Sequence, residues 1–324
     1  MNTCIICSGL LEDKVYTVRE MQFGTKEEFV YRQCTKCNCL QINEVPENIS
    51  EYYPESYPSF QSRALNQPSI GYFKEKIRLF RTKFYLNEKL SLLHRMSSLF
   101  FEKPIHIEWM QELGHLVDYK SSILDVGCGT GKLLYNLSYL GYKNLNGVDP
   151  FILNDIFNSR FRIKKNSVFQ VKHDFDLIMF NHSLEHVPDP AAIFTHLSKI
   201  MKSGSYLLVR IPVIDSSAWE EYKENWVQID APRHIFIPSK KSMQVLAKLG
   251  DFTLIKTIYD SDELQYMGSE QYKLDIPLQS EKSFSINIKN SLFSKEERLG
   301  YQKKAKYLNT KGRGDQACFF FIKN

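Results

Sequence analysis

Three glycines and two aspartates within residues 122–150 have the spacing of a nucleotide-binding turn. Gly127, Gly129 and Gly131 separate a short apolar run, typical of a buried parallel strand, from a leucine-rich helical pattern. Glycines let a ligand approach the main chain, and the following helix directs free N–H groups and its positive dipole end toward that ligand. Asp149, about 20 residues beyond the glycines, is where a carboxylate can hold two ribose hydroxyls. The stretch therefore predicts an adenosine-type cofactor.

The glycine spacing also indicates which cofactor fits. Dinucleotide sites prefer G-x-G-x-x-G, whereas this chain has G-x-G-x-G. A phosphate-binding P-loop requires Ser or Thr after its lysine, and here Lys132 is followed by Leu133. Asp125, two residues before Gly127, suits a cationic ligand with an amino group better than it suits a pyrophosphate.

These residues are similar to those of a known family. The stretch DVGCGTG…GVD resembles the first two motifs of class I S-adenosylmethionine-dependent methyltransferases, and FDLIMFNHSLEHVPDP resembles the family's FDxI…LEHVxDP segment. In an open parallel sheet, ligands lie beyond the carboxyl ends of the strands. The resemblance and this rule imply a set of residues around S-adenosylmethionine, namely Asp125, Gly127, Cys128, Gly129, Gly131, Asp149, Pro150, Val168, Asn181 and His182.

The element pattern indicates an α/β fold, and the resemblance implies a class I methyltransferase Rossmann-like doubly wound sheet that is mostly parallel with an antiparallel last strand. Its strands are predicted at 123–126, 145–148, 168–171, 175–180, 206–211, 252–259 and 317–322. Helices are predicted at 107–116, 191–201, 239–249 and 295–308, and a loop over the cleft at 266–278. Three domains are expected, a zinc ribbon with an aromatic linker (1–62), a helical spacer or lid (63–118) and a methyltransferase domain with substrate-binding insertions after 212 (119–324).

Four cysteines near the start of the chain have the spacing of metal ligands. Cys4-x-x-Cys7 and Cys34-x-x-Cys37 are paired thiolates that match a tetrahedral structural zinc site. A disulfide framework is the alternative, but no signal peptide is apparent to send the chain to an oxidising compartment. Strand patterns between the two pairs suggest a zinc ribbon, and Cys39 is interpreted as a spare thiol.

The order of motifs along the chain extends the resemblance. Two CxxC pairs, a Tyr-Tyr-Pro segment, a helical spacer and DVGCGTG together resemble a bacterial methyltransferase family that modifies sugars or sugar-derived surface polysaccharides. The segment DAPRHIF resembles that family's D-x-P-R-H segment, which lies beside the substrate. Aromatic residues before it form either a stacking platform or ordinary partly buried packing. The expected substrate-binding residues are Glu185, Trp219, Tyr222, Trp226, Asp230 and Arg233.

Histidines are the natural candidates for a base, because their pKa lies near neutrality. His234 is favoured, with Asp230 to orient its ring and Arg233 to hold an anionic group of the substrate, and His182 is the second choice. The alternative is that both histidines only pack or form hydrogen bonds. His182 and His186 also have the spacing of metal ligands on a helix, but the sequence offers no apparent third ligand, and the resemblance implies metal-free transfer.

Composition limits the remaining possibilities. The chain has 324 residues, 43% of them hydrophobic, and a net charge of +5, which fits a small-molecule or glycan substrate with negative charge. No apolar run is long enough to span a bilayer, and we expect a cytoplasmic protein. Basic helical patterns at 70–100 and 295–308 could meet a membrane surface or a nucleic acid, although a lid is the simpler interpretation of the first.

Three functions remain open. The first is S-adenosylmethionine-dependent methyl transfer to a sugar, free as a nucleotide conjugate or within a glycan. The second is an RNA methyltransferase that uses its zinc ribbon as an RNA clamp, although no Asn/Asp-Pro-Pro-aromatic motif follows the fourth strand. The third is a protein that binds the cofactor without catalysis.

The RGD tripeptide at 313–315 is interpreted as part of a turn before the last strand.

Overall fold

A computed structural model describes residues 2–54, 57, 105–288 and 292–324. Contacts divide the chain into two compact units. Unit 1 comprises Met1–Pro54, His182–Lys199 and Leu208–Asn324, and unit 2 comprises Glu55–Asn181 and Ile200–Leu207. The grouping differs from the expected succession of 1–62, 63–118 and 119–324, because unit 1 joins the N-terminal segment to the C-terminal part of the chain.

The strands and helices follow the predicted order closely. The strands are β1 Leu11–Arg19, β2 Glu28–Cys34, β3 Leu40–Ile42, β4 Ser122–Val126, β5 Asn144–Val148, β6 Ile156–Phe157, β7 Arg162–Lys164, β8 Leu177–Asn181, β9 Tyr206–Pro212, β10 Phe236–Ile237, β11 Phe252–Tyr259 and β12 Gln316–Lys323. The helices are α1 Ile105–Leu113, α2 Lys132–Leu140, α3 Pro190–Ile200, α4 Ser217–Tyr222, α5 Lys240–Leu249, α6 Leu264–Lys273 and α7 Lys295–Thr310.

Unit 1 contains the antiparallel sheet of the predicted ribbon, in the order β1-β2-β3-β10. The first three strands pair through registers such as Tyr16 with Tyr31 and Arg32 with Gln41. The fourth strand comes from DAPRHIF, and Phe236 pairs with Gln41. The N-terminal ribbon is therefore completed by a strand about 200 residues later in the chain, a pairing that no local pattern reveals.

Strands β11, β12 and β9 are neighbours in a second sheet of unit 1, and β11 pairs with β12 in antiparallel register. The predicted last strand is confirmed, and its Phe319, Phe320 and Phe321 are all buried. Asp315, which precedes it, is also buried and accepts a hydrogen bond from Trp226 Nε1 at 3.1 Å. The RGD tripeptide lies between a turn at Lys311–Gly312 and strand β12, in agreement with the predicted turn before the last strand.

Unit 2 contains a mostly parallel sheet in the order β8-β4-β5-β7-β6. The pairs β4–β5, β4–β8 and β5–β7 are parallel, whereas the short β6 is antiparallel to β7. Its central strands are nearly continuous apolar runs, as expected for strands covered on both faces. Strand β9 is shared, since its first two residues belong to unit 2 and the rest to unit 1.

Two predicted elements are wrong. The predicted third strand at 168–171 is a 3-10 helix, Val168–Gln170, and the third parallel strand is β7. Ser167 caps this helix and forms a capping box with Gln170, a local signal that overrides the apolar pattern. The predicted loop at 266–278 contains helix α6, whose polar composition hid its burial. The basic helical pattern predicted at 70–100 lies outside the described residues.

A buried ion network holds the DAPRH segment against the ribbon in unit 1. The Arg233 guanidinium is fully buried and donates to Glu20 Oε1 at 2.7 Å, to Asp230 Oδ1 at 2.6 Å and to the Tyr52 carbonyl at 3.2 Å. Glu20 also accepts backbone N–H groups, including that of Gly24 at 2.9 Å. Burial alone would lower the pKa of Arg233, but the charges of Asp230 and then Glu20 raise it, so the guanidinium stays charged.

We expect Arg233→Ala to lower the free energy of unfolding of unit 1 by about 3–5 kcal/mol, because it leaves two carboxylates buried without their cation. Urea unfolding followed by tryptophan fluorescence measures this, with Trp219 and Trp226 reporting on unit 1 and Trp109→Phe removing the signal of unit 2. The control is Arg19→Ala, since Arg19 pairs with Asp275 at the surface and should contribute at most about 1 kcal/mol. Equal, small losses in both variants would contradict a structural role of the network.

Candidate functional site

The glycine turn of unit 2 has the conformation that the sequence predicts. Gly127, Gly129 and Gly131 all have positive φ, at 72°, 53° and 85°. A Cβ on Gly131 would lie 2.7 Å from Ile163 Cδ1, so a side chain there would clash as well as strain the backbone. Helix α2 begins directly after the turn, and Gly141, with a φ of 102°, caps its C-terminal end in the left-handed conformation. The N-terminus of α2 therefore follows a stretch of bare main chain.

Asp149 ties the end of β5 to this turn. Its Oδ2 accepts the Gly129 N–H at 2.8 Å, and its Oδ1 accepts the Phe151 N–H at 2.8 Å. The residue is only 5% exposed. Each carboxylate oxygen has further acceptor capacity, so Asp149 can still receive hydrogen bonds from two ribose hydroxyls.

Asp125, at the end of β4, is a buried carboxyl group with an unsatisfied atom. Among the described residues, nothing donates a hydrogen bond to its Oδ1. Burial, and then the charge of Asp149, raises the pKa of Asp125 to about 8. An amino group of a bound cation would supply both the missing donor and the missing positive charge. The residues thus fit S-adenosylmethionine, which would deliver a methyl group from its sulfonium.

The sequence interpretation missed one residue near this turn. Phe151 follows Pro150 and Asp149 directly, and it is 68% exposed. A large exposed aromatic ring next to a carboxylate that can hold a ribose is placed to stack on a base. The signal in the sequence was its position immediately after the acidic residue.

Two other residues predicted at the cofactor site have a different environment from the one expected. Val168 lies in the 3-10 helix rather than in a strand. Burial raises the pKa of the Cys128 thiol, which favours an unreactive thiol.

The four N-terminal cysteines converge in unit 1. One sulfur from each lies within 4.8 Å of the others, and the Cys4–Cys37 and Cys7–Cys34 sulfur pairs are both 3.5 Å apart. These separations exceed a disulfide bond of about 2.05 Å. They are close to the edge of about 3.8 Å that ligands at about 2.3 Å give in a tetrahedron around zinc.

The two cysteine turns are built alike, which supports a shared metal. In each, the first cysteine N–H donates 2.8 Å to a carbonyl five residues later, that of Gly9 or Cys39. Backbone N–H groups point at the sulfurs, as when Lys36 N approaches Cys34 Sγ at 3.4 Å. Such N–H···S contacts stabilise thiolates, the form in which cysteine binds metal.

A second group of chemically active side chains lies around Glu185 in unit 1. His182 Nδ1 is 3.3 Å and His234 Nε2 is 3.8 Å from Glu185 Oε1, and Glu185 is fully buried. Burial would raise the pKa of Glu185, but the adjacent His182 and then His234 and His186 lower it, so the carboxylate is ionised. His182 has a left-handed φ of 52°, and strained backbone of this kind concentrates at functional sites.

Backbone carbonyls orient two of these histidines. His186 Nδ1 lies 2.9 Å from the Arg233 carbonyl, and His234 Nδ1 lies 2.7 Å from the Gln228 carbonyl. Because a carbonyl only accepts, Nδ1 carries a proton in both rings, and in the neutral form of either ring the lone pair is on Nε2. Burial, and then the charge of His234, lowers the pKa of His186, which favours its neutral form.

The remaining predicted substrate residues are mainly parts of the core. Trp219, Tyr222 and Trp226 are at most 5% exposed and belong to an apolar cluster of unit 1. The Tyr222 hydroxyl donates to Glu270 at 2.9 Å. Their rings face protein rather than an open platform, and the Arg233 guanidinium is engaged by Glu20 and Asp230. The DAPRH segment contributes His234 and Asp230 to the Glu185 group. The sequence predicts that Asp230 accompanies His234, but not that Glu185 lies beside them.

Comparisons with known proteins agree with this geometry. Residues 88–257 match the family described as "Methyltransferase domain". A ubiquinone biosynthesis O-methyltransferase of Neisseria meningitidis is 27% identical over 113 residues, 31% of this chain and 46% of that protein. A tRNA U34 carboxymethyltransferase of Actinobacillus succinogenes is 27% identical over 191 residues, 52% of this chain and 56% of that protein. The chain thus matches about half the length of these relatives.

Two solved enzyme structures have a limited similarity to this chain. Magnesium protoporphyrin IX methyltransferase from Synechocystis has a TM-score of 0.45 and 11% identity, covering 86% of this chain and 99% of that one. The cyclopropane synthase MmaA2 from Mycobacterium tuberculosis has a TM-score of 0.41 and 20% identity, covering 64% and 79%. With the family match and the strand order, the predicted class I methyltransferase fold is confirmed.

Asp125 leads to a testable prediction about proton release. With a pKa of about 8, its carboxyl group is mostly protonated at pH 7, and a bound amino group should favour the carboxylate. S-Adenosylmethionine binding at pH 7 should therefore release close to one proton, and affinity should rise as pH increases toward 8.

Calorimetry in two buffers with different ionisation enthalpies measures this release. Asp125→Asn is the control, because the variant has no carboxyl proton to release at this position. Any proton that the ligand itself releases on binding is still measured in the variant. Equal proton release from the wild type and the variant would show that Asp125 does not meet the cation.

Proposed function

Since the chain belongs to the methyltransferase domain family, we propose that it transfers the methyl group of S-adenosylmethionine to an acceptor molecule. The observation that carries the proposal is the pair of buried carboxyl groups beside the glycine turn. In this proposal Asp149 holds the ribose and Asp125 the amino group. Burying an Asp125 oxygen without a hydrogen bond costs free energy. A glycine turn with only a structural role does not explain why the protein carries this cost.

We propose a sugar or sugar-derived acceptor, linked to a nucleotide or within a surface polysaccharide. Support comes from the order of motifs, with two CxxC pairs, Tyr-Tyr-Pro, DVGCGTG, LEHVPDP and DAPRH along one chain. The net charge of +5 fits a negatively charged nucleotide conjugate. The buried aromatic residues of unit 1 do not contribute to this argument.

RNA is the second candidate acceptor, and one observation favours it. The tRNA U34 carboxymethyltransferase matches 191 residues, a longer stretch than the ubiquinone biosynthesis enzyme matches. In that case the zinc ribbon would act as an RNA clamp. A third outcome is binding of S-adenosylmethionine without turnover.

A transfer assay with methyl-labelled S-adenosylmethionine separates these outcomes. Nucleotide-linked sugars, total tRNA and a quinone precursor serve as acceptors, and we expect label in the sugar fraction. Asp149→Ala should weaken donor binding by about 10- to 100-fold, because a hydrogen bond to a charged group contributes about 1.5–3 kcal/mol. Asp155→Ala, an exposed carboxylate of the same unit, is the control and should bind normally.

Label in RNA alone would show that the acceptor is RNA, the second candidate, and not a sugar. Donor binding without transfer to any acceptor class would support the non-catalytic alternative. Unchanged donor affinity in Asp149→Ala would refute the proposed donor site itself.

We also propose that Cys4, Cys7, Cys34 and Cys37 bind one structural zinc ion. The matched turns and the sulfur separations support it. A Cβ on Gly9 would lie 3.2 Å from Cys7 Sγ and 3.3 Å from Cys34 Sγ, so the site is closed around the sulfurs. Four thiolates leave no open coordination position, so the ion would have a structural rather than catalytic role.

Zinc removal should unfold the ribbon, because in such modules the free energy of metal binding is folding free energy. Elemental analysis of protein purified without chelator should find zinc, and chelation should abolish the circular dichroism of β1–β3. Cys39→Ser, which leaves the four ligands intact, should retain the ion. Zinc-free protein with an intact ribbon would disprove this assignment.

Within the proposed reaction, His182 is the better candidate for accepting the acceptor's proton. Its side chain is 30% exposed, whereas that of His234 is 8% exposed. Glu185 lies 3.3 Å from His182 Nδ1 and can orient the ring, which leaves Nε2 for the substrate. This reverses the sequence-based preference for His234.

His182→Ala should therefore lower turnover by about 10²–10⁴ while donor affinity stays unchanged. Steady-state rates with the accepted substrate and donor titration measure the two effects separately. His173→Ala removes an exposed histidine elsewhere and should behave as wild type. Near wild-type turnover of His182→Ala would show that alignment of donor and acceptor is sufficient.

A further inference from the structure

The Glu185 group has a feature that proton transfer does not explain. One ligand atom from each of Glu185, His186 and His234 lies within 4.8 Å of the others. The three residues come from two distant segments, which are joined where the Ile235 N–H donates to the Glu185 carbonyl at 2.8 Å. Two imidazoles and one carboxylate form a ligand set that proteins use for divalent transition metals.

Both histidines are prepared as ligands. Their Nδ1–H groups are held by the Arg233 and Gln228 carbonyls at 2.9 and 2.7 Å, so each ring, when neutral, presents its lone pair at Nε2. This outer contact is the usual partner of a metal-bound histidine, because it fixes the ring orientation and the tautomer. The His186 and His234 rings lie 4.8 Å apart, and each has its Nδ1 held by a backbone carbonyl. Packing alone does not require this shared arrangement.

Glu185 lacks the hydrogen bonds that a buried carboxylate needs. Although His182 Nδ1 lies 3.3 Å away, neither Glu185 oxygen accepts a hydrogen bond of acceptable geometry in the described part of the chain. A buried carboxylate in this state is costly unless a cation compensates it.

The balance of formal charges points to the same conclusion. Glu185 and Glu20 are fully buried, Asp230 is mostly buried, and the one guanidinium among them is that of Arg233. Three negative charges and one positive charge leave −2 when the imidazoles are neutral. A divalent cation would neutralise this charge.

We propose that Glu185, His186 and His234 bind one divalent transition-metal ion through a carboxylate oxygen and two Nε2 atoms. The 3.8 Å between His234 Nε2 and Glu185 Oε1 suits two ligands that each lie about 2.0–2.2 Å from one ion. The wider separations in the set, all within 4.8 Å, must shorten when the ion binds. With three protein ligands the ion keeps open positions for an oxygen of an acceptor. This departs from the metal-free transfer that the family resemblance implies.

Cobalt(II) is a suitable probe, because it absorbs visible light and replaces zinc at nitrogen and oxygen sites. The full chain is first loaded with zinc at its cysteines and then titrated with Co²⁺. We expect one bound equivalent with weak visible bands and no sulfur charge-transfer band. His173→Ala is the matched control, because it also removes one histidine, and it should bind Co²⁺ as the wild type does.

Glu185→Gln and His234→Ala should bind Co²⁺ more than about 100-fold more weakly, since even changes outside the ligand set cost about 10- to 100-fold. Retained zinc and unchanged near-UV circular dichroism show that they are folded. In the wild type, two exchangeable, strongly shifted proton resonances should mark the two Nδ1–H groups, whether or not the variants fold.

Three results would overturn the inference. One is a wild-type protein that binds no Co²⁺ beyond its cysteine site. Another is full binding by the folded Glu185→Gln and His234→Ala variants. The last is a bound ion without the two shifted resonances. None of them affects the proposed donor site, which lies on different residues.

Discussion

In both compact units, carboxylate groups are buried away from water, and each one requires hydrogen-bond donors or a cation. Asp149 meets the requirement with the N–H groups of Gly129 and Phe151, so the charge that would hold a ribose also shapes the glycine turn. Glu20 meets it with backbone N–H groups and Arg233. Asp125 and Glu185 do not meet it within the described residues, and both proposals for bound cations start from these two groups.

The ribbon of unit 1 carries the four cysteines, and it also supports the DAPRH segment. Its sheet is completed by β10, the strand that immediately follows His234, and Tyr31 of β2 donates to the His234 carbonyl at 2.9 Å. The Glu20–Arg233 ion pair adds a second link between the ribbon and the DAPRH segment. A metal that folds the ribbon would therefore also stabilise the position of His234. The ribbon thus supports the histidine group rather than forming an independent module.

Features encoded by short stretches could be predicted from the sequence. The glycine turn, Asp125, Asp149 and the two CxxC pairs are local patterns, and their geometry follows from backbone conformation and ligand spacing. The 3-10 helix at Val168 and the burial of helix α6 could not, because capping and tertiary packing outweighed the apolar pattern. His234 as a neighbour of Glu185 and His186 depends on a contact between distant segments, so the sequence offered no third ligand. Arg233 matched a substrate motif, yet its charge is engaged by Glu20, which no spacing reveals.

The central claim is that unit 2 binds S-adenosylmethionine through its two aspartates. A crystal structure of the full chain with S-adenosylhomocysteine tests it most directly. The account predicts both ribose hydroxyls within hydrogen-bond distance of the Asp149 carboxylate, and the amino group of the ligand beside Asp125 Oδ1. A ligand bound elsewhere, or bound at the glycine turn with Asp125 and Asp149 out of reach, would contradict it.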